Sequence, residues 1–178
     1  MAGIQGGVMN FQQNMNEAII PDCNFIWREV FRSKKAEQRR IDNTTSDPAI
    51  LNNVIYLVEN NLQPARDWAQ EPLIVNSWYR SKELNKAVGG SPTSFHSYGA
   101  AADIRFANYD RSLMELFAFF YTQTQFTELI AEEITPTGGC IHIAHMKGRG
   151  IEKQVKYKLY GGPVINAKYN DIRKIFNA

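Results

Sequence analysis

Apolar residues recur at helical spacing through Ile50, Leu51, Val54, Ile55, Val58, Leu62 and Ala65, which predicts an amphipathic helix. Its start is marked. Asp47 offers a carboxylate to the free N–H groups of the first turn, and Pro48 stands where no N–H is needed. Pro64 falls inside the pattern and has no N–H to donate, so the helix is expected to kink or restart there. Upstream, Phe25, Ile26, Val30 and Phe31 make residues 24–32 a short amphipathic helix or a packed loop. The charge run 34–40 reads as solvated surface. Residues 1–20, rich in Gly, Gln, Asn and Met, read as a flexible N-terminal arm ahead of a single domain over 21–178.

Further along, the period shortens. Residues 72–77 (PLIVNS) read as a short buried strand. Ser81 is placed to cap a short helix through Ala87, stopped by Gly89-Gly90. Residues 101–106 (AADIRF) alternate like a strand. Asp110 is then expected to cap an aromatic-rich helix to about Tyr121, with Leu113, Leu116, Phe117 and Phe120 facing inward. Residues 126–131 and 140–145 are strand-like and joined by the turn-rich TPTGG. Residues 153–160 alternate again, and 170–176 predict a terminal helix. Helices first, then a run of antiparallel strands, spells an α+β fold with N-terminal helices packed on a small antiparallel sheet.

Composition narrows the classes. A chain of 178 residues with 44% hydrophobic residues can bury the core of one domain without staples. A net charge of +2 mildly suits an anionic partner such as a cell-wall polymer and is too small to argue for nucleic acid. Two cysteines far apart, Cys23 and Cys140, read as unpaired thiols. No apolar run is long enough to span a membrane. Residues 1–16 lack the basic start and apolar run of a signal peptide.

The histidines carry the chemistry. There are three, His96, His142 and His145. His96 opens HSYGAAAD, which ends at Asp103. Gly99 permits a sharp turn or a positive φ, so the chain can re-enter as a strand and bring Asp103 back toward His96. Ala101 shares the strand face of Asp103, leaving room for an ion and a substrate. In CIHIAH, His142 shares a face with Cys140 and Ala144, and His145 falls opposite. Two histidines and a carboxylate with one open position form a usual catalytic zinc set, the open position holding water of lowered pKa. Cys140 is either a soft ligand or a buried inert thiol. His145 is either a substrate or outer group, or simply packed.

Residues 77–104, SWYRSKELNKAVGGSPTSFHSYGAAADI, closely resemble the peptidase M15 family, the zinc D-Ala-D-Ala carboxypeptidases and their phage endolysin relatives. Ser94, His96, Gly99, Ala101 and Asp103 match every fixed position of the family pattern. Tyr79, Arg80, Ser81, Leu84, Asn85, Val88, Gly89, Gly90 and Ser91 match the segment before it, and Ile141 to Ile143 look like the second metal-histidine strand. The resemblance implies a hedgehog/DD-peptidase-like fold. It implies one Zn2+ per chain on His96, Asp103 and His142, and places Ser94 and Arg80 at the substrate. Arg80 would grip a carboxylate or polarise the scissile carbonyl, for which a planar guanidinium is suited.

Hydrolysis also needs a carboxylate to move the proton. Many family members carry an acidic residue three places before the metal histidine; here that position is Gly139. Related sequences often have a glutamate where Glu132 stands, so Glu132 is the chosen base, with Glu133 and Glu128 behind it. The implied reaction is hydrolysis of an amide bond in a peptidoglycan stem peptide, by a carboxypeptidase or an endolysin-type endopeptidase. It would be made in the cytoplasm and act at the bacterial wall or on a virion. The Gly139 departure keeps a second reading open, an inactive zinc-binding structural or wall-binding module of the same fold.

Overall fold

The protein, here a computed structural model, is described over residues 15–108, 110–135, 138–150 and 152–176. Among the described residues a six-stranded sheet carries Asp103, Glu132 and His142 of the predicted site. Across it lie β1 (Leu73–Ser77), β2 (Ala101–Phe106), β4 (Gly138–Ala144), β3 (Glu128–Thr135), β5 (Gln154–Leu159) and β6 (Val164–Asn166). Around it stand α1 (Trp27–Phe31), α2 (Lys34–Arg39), α3 (Pro48–Leu57), α4 (Gln63–Ala69), α5 (Lys82–Ala87), α6 (Leu113–Gln123) and α7 (Tyr169–Phe176). The fold is thus mixed α+β.

One expectation of the sheet is corrected. It is mostly antiparallel, but β3 and β5 run parallel. β4 has β2 on one side and β3 on the other, so β5 cannot pair with it. β4 ends beside the start of β3, and the connection from there need only step past that start for β5 to run alongside. Lys153 and Gln154 make the step by donating backbone N–H bonds to Phe126 and Thr127. β6, three exposed residues long, is too short for alternation to announce it.

One element start and one element end also shift. Ser112, not Asp110, caps α6: its hydroxyl accepts from Met114 N at 3.2 Å, because Ser112 directly precedes the first helical residue. β3 runs on to Thr135 instead of stopping at 131, which places Glu132 within the ladder opposite Cys140. The segment around Trp27 is helical, and Asp47 caps α3 as expected, accepting from Ala49 N at 2.8 Å. Pro64 restarts the helix after a π turn, Val58–Leu62, in which Gln63 N–H reaches back to Val58 O. The widened turn points Asn61 into the core, where it is fully buried. Of the arm expected over 1–20, residues 1–14 lie outside the described residues. From Met15 on the chain is packed: Ile19 is buried, and Met15 O accepts from Arg28 N at 2.8 Å.

The period-2 alternation then divides the sheet. Ala102, Ile104, Leu129, Ala131, Ile141 and Ile143 face the helices and join Val54, Leu57, Leu62, Leu116, Phe117 and Phe120 in one core. Each such large apolar side chain, fully buried, contributes roughly 1.5–3 kcal/mol. The other face carries Asp103, Cys140, His142, Glu128, Glu132, Lys156 and Lys158.

Candidate metal centre

Asp103 and His142 are direct cross-strand partners on β2 and β4, so their side chains leave the sheet together. His96 comes from the 3-10 turn Phe95–Tyr98 that leads into β2. Gly99 closes that turn at φ +69°, as the motif predicts, and a Cβ there would meet Ile50 O at 2.8 Å and Ile50 Cγ2 at 2.9 Å. Three further bonds hold the turn. Asn53 Nδ2 donates to Tyr98 O at 2.9 Å, Trp78 Nε1 to Gly99 O at 3.3 Å, and Arg80 N to His96 O at 3.2 Å.

Three ligand-type atoms converge. His142 Nδ1 lies 2.8 Å from Asp103 Oδ1, and His96 Nε2 lies 3.2 Å from each of them. All three residues are buried. A tetrahedral zinc with bonds of about 2.0 Å would set its ligand atoms about 3.3 Å apart, close to this triangle. The His96 tautomer also fits. His96 Nδ1 lies 2.6 Å from Trp78 O, which can only accept, so Nδ1 carries the proton and Nε2 keeps its lone pair. His142 Nε2 is buried without a partner in hydrogen-bond geometry, the nearest charge being Glu128 Oε1 at 3.3 Å. The donor set therefore suits Zn2+, and Cys140 and His145 are not part of it.

Without a cation, charge is shared among these groups. Burial lowers the pKa of His96, against the pull of Asp103. Burial also opposes charge on His142, but the bond to Asp103, the Glu128 carboxylate beside Nε2 and the charge of Glu132 push it up to about 9. Burial works against the Asp103 carboxylate too, yet the two imidazoles hold it well below its ordinary value.

The remaining predicted residues take distinct places. Arg80 Nη2 donates to Asp103 Oδ2 at 2.8 Å, and Arg80 Nε to Ser77 Oγ at 2.9 Å, so Arg80 orients a ligand as well as standing at the site. Ser94 is half-buried at the start of the His96 turn. Glu132 is half-buried on the metal face. Its burial, then the charge of Asp103, raises its pKa against His142, Lys158 and Arg80. Glu133 is exposed at a bulge with φ +52° and pairs with Lys158 at 3.1 Å. Glu128 pairs with Lys156 and lies against His142; burial opposes its charge, but these two contacts bring it down to about 2. Cys140 is half-buried, and burial pushes its thiol well up. His145 faces away, bonded to Asn61 Oδ1 at 2.8 Å and edge-on to Tyr56.

Gly139, where many family members are acidic, has φ +121°, and a Cβ there would meet Glu132 O at 2.8 Å and Glu133 O at 3.1 Å. The bulged turn leaves no room for an acid at that position. Sequence reasoning missed Asn43. It is buried, donates to Phe31 O and Tyr79 O at 3.0 Å each, and accepts from Ser81 N at 2.8 Å, bracing the segment that carries Arg80. It also missed the link from Lys156 through Glu128 to His142. The alternating lysines of KQVKYK were the available signal.

The family model described as Peptidase M15 matches residues 24–144, which contain all the site residues named above except Lys156 and Lys158 and His145. No curated protein matches the chain. Among the described residues, no helix is long and apolar enough to cross a membrane.

Proposed function

We propose, from the premise that the chain belongs to the peptidase M15 family, that it is a zinc peptidase cutting amide bonds in peptidoglycan stem peptides. The observation that carries this reading is the convergence of His96 Nε2, Asp103 Oδ1 and His142 Nδ1 with Glu132 on the same sheet face. A zinc ion held by those three atoms would supply a Lewis acid for the scissile carbonyl and lower the pKa of water toward about 7. Glu132 takes the proton of the attacking water and returns it to the leaving amine. Its raised pKa makes it a stronger base than Glu128, whose carboxylate is engaged by Lys156 and His142. Arg80 spends two donors on Asp103 and Ser77 and keeps the rest of its fork for a substrate carboxylate or the developing oxyanion. Ser94 offers a hydroxyl beside the His96 turn.

In this reading residues 21–178 form one domain of the hedgehog/DD-peptidase type, acting at the bacterial wall or on a virion. Cleavage is of the carboxypeptidase or the endolysin type. The test is digestion of purified peptidoglycan, with released fragments identified by mass spectrometry, which also tells the two types apart. Wild type should release stem-peptide fragments in a chelator-sensitive way. Glu132→Gln should keep its zinc and lose about 10²–10⁴-fold in rate. Wall binding without cleavage by the zinc-loaded wild type would replace this reading with the inactive wall-binding module.

A further inference from the structure

Glu128 and Lys156 have a place in the site that hydrolysis does not use. Resting on the metal-site reading above, we infer that Glu128 is a positioning residue: it keeps the proton of His142 on Nε2, so that Nδ1 is presented to the cation, and Lys156 holds Glu128 in place.

A neutral imidazole has one lone pair to give, and its other nitrogen carries a proton that needs an acceptor. For His96 that acceptor is a backbone carbonyl, Trp78 O, fixed by the chain itself. For His142 no backbone group serves. Nε2 is buried, makes no bond of good geometry, and has Glu128 Oε1 at 3.3 Å. Cross-strand register explains the approach. Ile130 faces His142, and Glu128 faces Ala144, so Glu128 starts two residues along on the same face. The small Ala144 leaves the carboxylate room to lean toward the ring. On the other flank Lys156 of β5 also faces Ile130, and its Nζ takes Glu128 Oε2. The side chains of His142, Glu128 and Lys156 are 7%, 14% and 20% exposed, so little water competes for these bonds. Oε2 of Glu128 is held by Lys156 and Oε1 faces the His142 ring, which suits a group that holds rather than one that shuttles protons.

The test is zinc affinity near neutral pH, measured by competition with a chromophoric chelator. Glu128→Ala should bind zinc about 10–100-fold more weakly than wild type. Lys156→Met should weaken it less, and Glu128→Gln, whose amide oxygen still accepts, should recover most of the loss. Nitrogen-resolved NMR of the zinc-loaded wild type should place the His142 proton on Nε2, and Glu128→Ala should expose that proton to exchange. If Glu128→Ala does not fold, Lys156→Met and the NMR assignment carry the test. Unchanged zinc affinity in Glu128→Ala or, failing that, in Lys156→Met, with affinity lost in His96→Ala, overturns the positioning role alone; a proton found on Nδ1 does the same. A folded wild type that binds no zinc overturns the metal reading and this inference with it.

Discussion

Replacing Gly99 by alanine tests whether the His96 turn is held by conformation and space together. At φ +69° an L residue costs about 1 kcal/mol relative to glycine. The added Cβ would also sit 2.8 Å from Ile50 O, a backbone atom of α3 that cannot swing aside, and 3.0 Å from Val54 Cγ2. Overpacking of this kind costs about 1–3 kcal/mol. Gly99→Ala should therefore lose about 2–4 kcal/mol in urea unfolding of the metal-free protein, or roughly 5–15 °C in Tm for a chain of this size. Gly89→Ala is the internal control. Gly89 has nearly the same φ, +73°, but nothing lies within 4 Å of its Cβ position, so it should lose only about 1 kcal/mol. The difference between the two variants isolates the contact with α3. Equal losses, or a loss under about 1 kcal/mol for Gly99→Ala, would refute the close-approach argument.

Other consequences follow from the same geometry. In the metal-free protein the pKa of His142 lies at about 9, above its ordinary value of 6.5. Its contribution, on the order of 3 kcal/mol, is fully present below pH 6.5 and is lost as pH rises through about 9. Melting in chelator should thus fall by about 10 °C between those pH values, a fall that saturating zinc abolishes; a flat metal-free profile would contradict the charge assignment. Asn43→Ala should cost about 2–4 kcal/mol in urea unfolding, since it removes the bonds to two buried backbone carbonyls and one part-buried N–H. A cost under about 1 kcal/mol would mean that Asn43 does not brace the Arg80 segment.

What was legible in the sequence was local. HSYGAAAD encodes its own geometry: a histidine in a tight turn, a glycine at the one position that needs positive φ, and small residues on the strand behind. Asp47 and Pro48 likewise mark α3 from neighbouring residues alone. What was not legible depends on distant pairing. The register that sets Asp103 opposite His142 joins residues 39 apart, and the parallel pairing of β3 with β5 follows because β4 is flanked on both sides while β3 has an edge left for β5. Gly139 looked like a defect in the catalytic pattern because the bulge that excludes a side chain there is formed by two strands together. Pro64 signalled a break, but the π turn ahead of it, and the burial of Asn61 that results, are decided by packing. The choice of Glu132 ahead of Glu133 and Glu128 rests on resemblance, and the pairing of Glu128 with Lys156 and of Glu133 with Lys158 depends on β5 lying beside β3, which no local pattern announces.

The most direct test of the central claim is metal content by mass spectrometry, after incubation with zinc and desalting, for wild type beside His96→Ala, Asp103→Ala and His142→Ala. Wild type should carry about one zinc per chain and each variant, still folded, far less. A wild type that is folded and metal-free, or variants that keep the metal, would contradict the three-ligand site on which the account depends.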